Sequence, residues 1–67
     1  MSKDIRFAVL RVQLELAGWT LKRIRGSHHV FVKQGRLPIS IPVHGNKVKA
    51  VYVRKIRQIL EQEEQER

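Results

Sequence analysis

Between Asp4 and Ala17 the apolar residues Ile5, Ala8, Val9, Val12 and Leu16 recur at three- and four-residue steps, and Phe7, Leu10 and Leu14 widen the stripe. This spacing predicts an amphipathic helix with a broad buried face. Ser2 is placed to cap its start, Asp4 to sit near the positive end of its dipole, and Gly18 to take the left-handed conformation that ends it. The period then changes. Trp19 to Arg25 and His28 to Lys33 are rich in β-forming residues, lack helical spacing and are separated by Gly26-Ser27, which predicts a hairpin. Gln34-Gly35-Arg36 supplies a second turn before a short strand, Leu37 to Ile41, and the flanking Pro38 and Pro42 suit a sheet edge. After the loop Val43-His44-Gly45-Asn46, the residues Val48, Tyr52, Ile56, Ile59 and Leu60 fall on one face of a second helix, with Asn46 as its N-cap. The acidic end, Glu61 to Arg67, reads as a frayed tail.

The predicted order is helix, three strands, helix. It describes an α+β fold, an α-β-β-β-α sandwich in which a three-stranded antiparallel sheet carries two helices on one face and leaves the other open. Double-stranded-RNA-binding domains have this architecture, although element order alone does not specify function. Residues 1–60 are expected to form one domain and 61–67 its acidic tail. A chain of 67 residues buries only roughly 60% of the surface its unfolded form exposes, so its stability is expected to be thin, with room for a partner or oligomer to add to it. The absence of cysteine excludes disulfides and thiolate metal sites. No apolar run approaches membrane-spanning length and the N-terminus does not read as a signal peptide, so a cytoplasmic protein is expected.

Charge narrows the class of partner. Residues 1–60 hold thirteen Lys and Arg against Asp4 and Glu15 alone, a balance of +11, whereas the last seven residues hold four Glu against Arg67, a balance of −3. So much positive charge on a small body repels itself unless a polyanion or an acidic protein neutralises it. Nucleic acid is the leading partner class.

The stretch Arg23-Ile24-Arg25-Gly26-Ser27-His28-His29 carries the candidate chemistry. Side chains alternate along a strand, so His28, Val30 and Val32 share one face while His29, Phe31 and Lys33 share the other. Phe31 belongs against the helices. That leaves His28 pointing outward as the first catalytic candidate, with His29 second. An exposed imidazole can take a proton from a ribose 2′-hydroxyl or give one to a leaving 5′-oxygen. Lys22, Arg23 and Arg25 would bind phosphate and stabilise charge developing on it, and Ser27 would offer a hydroxyl to a phosphate oxygen. Lys47 and Lys49, at the expected start of the second helix, oppose its dipole and suit contact with an RNA phosphate. His44 reads as a turn residue. No metal site and no cofactor are expected, because adjacent strand histidines diverge and most carboxylates lie in the tail.

Three segments together, Gly18-Trp19, Gly26-Ser27-His28-His29 followed by Phe31, and Ile41-Pro42-Val43-His44-Gly45-Asn46-Lys47, resemble the HicA toxin family over about Leu10 to Leu60. The resemblance implies a double-stranded-RNA-binding-domain-like fold and metal-independent cleavage of mRNA by an endoribonuclease, an mRNA interferase. It maps the essential histidine onto His28, and it implies neutralisation by a HicB antitoxin whose acidic surface covers the active face, as a hetero-oligomer or beside a homodimer. The chain departs from the family where the second helix opens: Val48-Lys49-Ala50-Val51-Tyr52 stands in place of a Gly-Thr pair and is one residue shorter, and the glutamate-rich tail replaces the usual ending. Two other readings compete with a nuclease. A non-catalytic double-stranded-RNA-binding module would keep its salt dependence and ignore the histidines. A subunit built only to meet an acidic protein would bind RNA poorly at physiological salt.

Overall fold

The computed structural model describes residues 3–66, so the expected cap at Ser2 lies outside the described residues. Period-2 alternation decides which side of the sheet is packed. Apart from the short strands β1 (Ile5–Arg6) and β5 (Lys47–Val48), which form a sheet of their own, strands β2 (Thr20–Arg25), β3 (His28–Val32) and β4 (Ile39–Pro42) form an antiparallel sheet in the order β2-β3-β4. Phe31, Ile39 and Ile41 are cross-strand or alternate neighbours on one face and are buried. Helix α1 (Phe7–Leu16) adds Leu10 and Leu14 to that core, helix α2 (Ala50–Gln65) adds Val53 and Ile56, and Trp19 and Val48 complete it. Both helices therefore cover one sheet face, as the α+β reading expects. The proline-bounded strand is an edge strand, displaced from the expected Leu37–Ile41, and Leu37 stands in solvent before it.

The first helix starts three residues later than its pattern suggests. Ile5–Arg6 (β1) is extended and pairs antiparallel with Lys47–Val48 (β5), with Ile5 opposite Val48 and Arg6 opposite Lys47. Backbone committed to that ladder cannot form a helical first turn. Asp4 consequently serves the other helix: its Oδ1 accepts from the Ala50 N–H at 3.1 Å, capping α2. The buried stripe of α1 also differs from the expected one. Val9, Val12 and Leu16 are exposed, Leu16 at 84%, and the helix packs through Leu10 and Leu14 instead. At its end the Gly18 N–H donates to Glu15 O (3.0 Å) and the Trp19 N–H to Leu14 O (2.9 Å), a Schellman motif with Leu14 and Trp19 joined in the core. Gly18 sits at φ +94°, and a Cβ there would come within 3.3 Å of Lys33 Cε.

The second helix starts at Ala50, behind an extended Lys49, and not after Asn46. Asn46 lies at φ +63° in the tight turn His44–Lys47, closed by His44 N–H to Lys47 O (3.0 Å) and Lys47 N–H to His44 O (2.9 Å). Positive φ at both Gly45 and Asn46 is the type I′ pattern of two-residue hairpins. Val48 is buried from a strand, not from a helix face. The Asn46 carbonyl then accepts the Phe7 N–H at 2.8 Å, so this turn closes the start of α1. At the other end α2 runs on through Gln65 where fraying was expected. The nearly buried Glu63 explains it: Oε1 accepts from Trp19 Nε1 (3.1 Å) and Lys33 Nζ (3.2 Å), and Arg36 Nε lies 3.2 Å from Oε2 in ion contact without hydrogen-bond alignment. Arg36 also pairs with Glu66. That hydrogen bond and charge hold the Glu66 carboxyl below its ordinary range and raise the Arg36 guanidinium.

Candidate active site

The open sheet face is assembled by register. Cross-strand partners share a face, and His28 stands opposite Arg25 on β2 and Pro42 on β4, while Val30 stands opposite Arg23 and Ser40. His28, Arg23, Arg25 and Ser40 thus lie together on the side away from the helices, and all four are exposed. Plain alternation would not have placed them so. Counting from the inward Leu21, opposite Phe31, Arg23 and Arg25 should also point inward, but the ladder shifts by one residue between Leu21 and Arg23. The bulge at Lys22 reverses the parity and carries both guanidinium groups to the histidine's face.

The turn that presents His28 is two residues long, with Gly26 at φ +56° and Ser27 on the negative side. Positive φ at the first central position alone is the type II′ pattern, which glycine satisfies without strain. The Ser27 carbonyl accepts from the Val43 N–H at 2.7 Å, tying this turn to the segment leaving β4. His29 lies within hydrogen-bond distance of the same carbonyl, Nδ1 to O 3.3 Å, and its ring packs at 4.5 Å between centroids against Phe7. It is half-buried on the inner side of the sheet. The two adjacent histidines therefore occupy opposite environments: His28 faces solvent among cations, and His29 braces the turn from within.

Around His28 the charge is of one sign. Among the described residues Lys22, Arg23 and Arg25 make no ion pair, because the carboxylates are engaged elsewhere or lie on α2: Asp4 on Ala50, Glu15 on Arg11, Glu63 and Glu66 on Lys33 and Arg36. Among the described residues His28 has one hydrogen-bond partner, Ser40, whose Oγ lies 3.4 Å from Nδ1. Sequence reading passed over Ser40. The signal was there in the alternation Ile39-Ser40-Ile41, which turns a hydroxyl outward between two core residues, but only the β3–β4 register shows which side chain it meets. Lys47 and Lys49 are not brought into this group. Lys47 lies in β5, beside Arg6 across the short ladder, and Lys49 precedes α2. The expectation that both ride the first turn of a helix is corrected by β5, which takes residues 47–48 into a strand. Exposed His44 bridges to Lys47 within its turn.

An exposed imidazole between a guanidinium and a hydroxyl, with a second guanidinium one pair further along, can bind a phosphodiester and move a proton beside it. Comparison with known proteins bears on which chemistry this is. The family model described as HicA toxin of bacterial toxin–antitoxin matches residues 10–62, a span that includes every residue of this face. No curated protein and no solved structure matches the chain.

Proposed function

Because the chain belongs to the HicA toxin family and is a toxin of a toxin–antitoxin system, we propose that it is an endoribonuclease in which His28 is the acid–base catalyst. The observation that supports this most directly is the exposed His28 ring on the open face, directly across the strand pair from Arg25. His28 takes the proton of a ribose 2′-hydroxyl as that oxygen bonds to the adjacent phosphorus. The bond from phosphorus to the 5′-oxygen breaks, and that oxygen takes a proton from solvent. The products are a 2′,3′-cyclic phosphate and a 5′-hydroxyl. Attacking and leaving oxygens lie roughly in line on opposite sides of phosphorus, so one imidazole serves one of them. Arg25 and Arg23 neutralise the non-bridging oxygens, whose charge grows in the transition state, and Lys22 and Ser27 add backbone contacts at the bulge and turn. His29 supports the turn from the inner side in place of a direct role, and Lys47, with Lys49, meets RNA phosphate away from the reacting atoms.

The antitoxin partner, in this reading, is an acidic HicB-type protein that covers the same face. Unpaired cations there attract its carboxylates as they attract phosphates, and occupancy of the face excludes RNA. The test is cleavage of end-labelled RNA in EDTA by wild type and His28→Ala. Loss of an acid–base group is expected to lower the rate about 100- to 10,000-fold, with binding retained. Equal cleavage by the two proteins would remove His28 from the mechanism, and binding without cleavage by wild type would leave a non-catalytic RNA module.

A further inference from the structure

We propose that Ser40 is the positioning residue of His28, accepting a hydrogen bond from its Nδ1–H and so leaving Nε2 as the unprotonated nitrogen offered to the substrate. The inference rests on the reading of His28 as the acid–base group, and it adds which ring nitrogen works and what holds it.

Among the described residues flanking His28, Ser40 has the one side chain able to do this. The side chains flanking His28 on the open face are Arg25 and Pro42 in direct register, and Arg23, Val30 and Ser40 one pair along. Arginine has donors only, and proline and valine side chains have neither donor nor acceptor. The Ser40 hydroxyl is the acceptor left, and its Oγ is 3.4 Å from Nδ1. No carboxylate fills the orienting place that acidic residues take in many acid–base sites, since none hydrogen-bonds His28 among the described residues. A neutral imidazole without an orienting partner exists as two tautomers, and only the one protonated at Nδ1 offers Nε2 as a base. An acceptor at Nδ1 selects that tautomer. The same bond persists after Nε2 takes a proton, when Nδ1–H becomes the donor of a cation and a stronger one. The titratable and charged groups facing His28 are Arg25 and Arg23 from β2, with Lys22 at the bulge, and β4 contributes none. Among the described residues Ser40 is the one side chain hydrogen-bonded to the His28 ring, and it stays with Nδ1–H as charge develops.

The experiment compares purified wild type, Ser40→Ala, Ser40→Thr and His28→Ala for single-turnover RNA cleavage across pH 5.5–9 in EDTA, together with the 15N signature of the His28 ring. Ser40→Ala is expected to lower kcat by about 5- to 10-fold, the worth of one hydrogen bond, with KM unchanged. The acidic limb of the pH–rate profile moves, and the ring signature shifts from the Nδ1–H pattern toward Nε2–H. Ser40→Thr restores all three. Ser40 is exposed, so folding is retained, and an unchanged thermal midpoint checks it. If His28→Ala is inactive while Ser40→Ala keeps the parent's kcat, pH profile and ring signature, the Ser40 role is overturned and the nuclease reading stands. Cleavage by His28→Ala equal to the parent overturns both, since no base is then left to position.

Discussion

At the scale of single residues, one extra residue in a strand decides the composition of the site. Lys22 enters β2 without a partner of its own, and the consequent change of parity puts Arg23 and Arg25 beside His28 while Leu21 stays against Phe31. A bulge cannot be read from alternation, because Leu-Lys-Arg-Ile-Arg is compatible with either parity. The outward aim of His28 could be read, because Phe31 three positions on is too large and apolar to leave the core. Arg23 and Arg25 should act through phosphate. Replacing either by alanine is expected to weaken RNA binding uniformly across sequences and to lower the slope of log K against log salt by about 0.7 for a single strand. Lys55→Ala, on the exposed side of α2 away from this face, is the control in a filter-binding titration. Equal slopes for Arg25→Ala and wild type would place the RNA elsewhere.

At the scale of elements, both helices begin later than their patterns suggest, and for one reason. The short ladder of β1 with β5 takes Ile5–Arg6 and Lys47–Val48 out of the helices and into extended backbone. Neither two-residue segment has enough length to show period 2, so each reads as the leading turn of the helix that follows it. Their pairing brings Asp4 to Ala50, where an acid near the start of one helix caps the other. Asp4→Ala is therefore expected to destabilise the protein by about 1 kcal/mol, with Asp4→Asn retaining most of it, as read from urea midpoints. A loss confined to α1 helicity would contradict this assignment. The two apolar stripes of α1 share one period. Which of them is buried follows from where the sheet lies, not from the helix itself.

At the scale of the whole molecule, charge is segregated: the open sheet face is cationic, and the acidic end of α2 neutralises Lys33 and Arg36 beyond the end of β3. A polyanion or an acidic protein would relieve self-repulsion on the open face, in keeping with the proposal that it takes RNA and an antitoxin in turn. The acidic end is structural. The Glu63 side chain is 8% exposed and joins Trp19, Lys33 and Arg36, so Glu63→Ala is expected to cost about 1–3 kcal/mol by leaving the indole N–H unpaired, measurable as a lower melting midpoint. Glu66 adds a lesser, acid-sensitive part. Its carboxyl is held low by Arg36, so the benefit is present above the ordinary value of 4.5 and is lost as pH falls through the lowered one. The two helices, the three-stranded sheet between them, the buried Phe31, the exposed His28 and the basic net charge were legible in the sequence alone, because hydrophobic period and net charge are local or additive properties. The parity of β2, the seat of Lys47, the capping role of Asp4, the anchoring of the acidic tail and the meeting of Ser40 with His28 were decided only by the tertiary structure. Each depends on which distant backbone segments pair, and pairing register is a property of two strands at once, carried by neither alone.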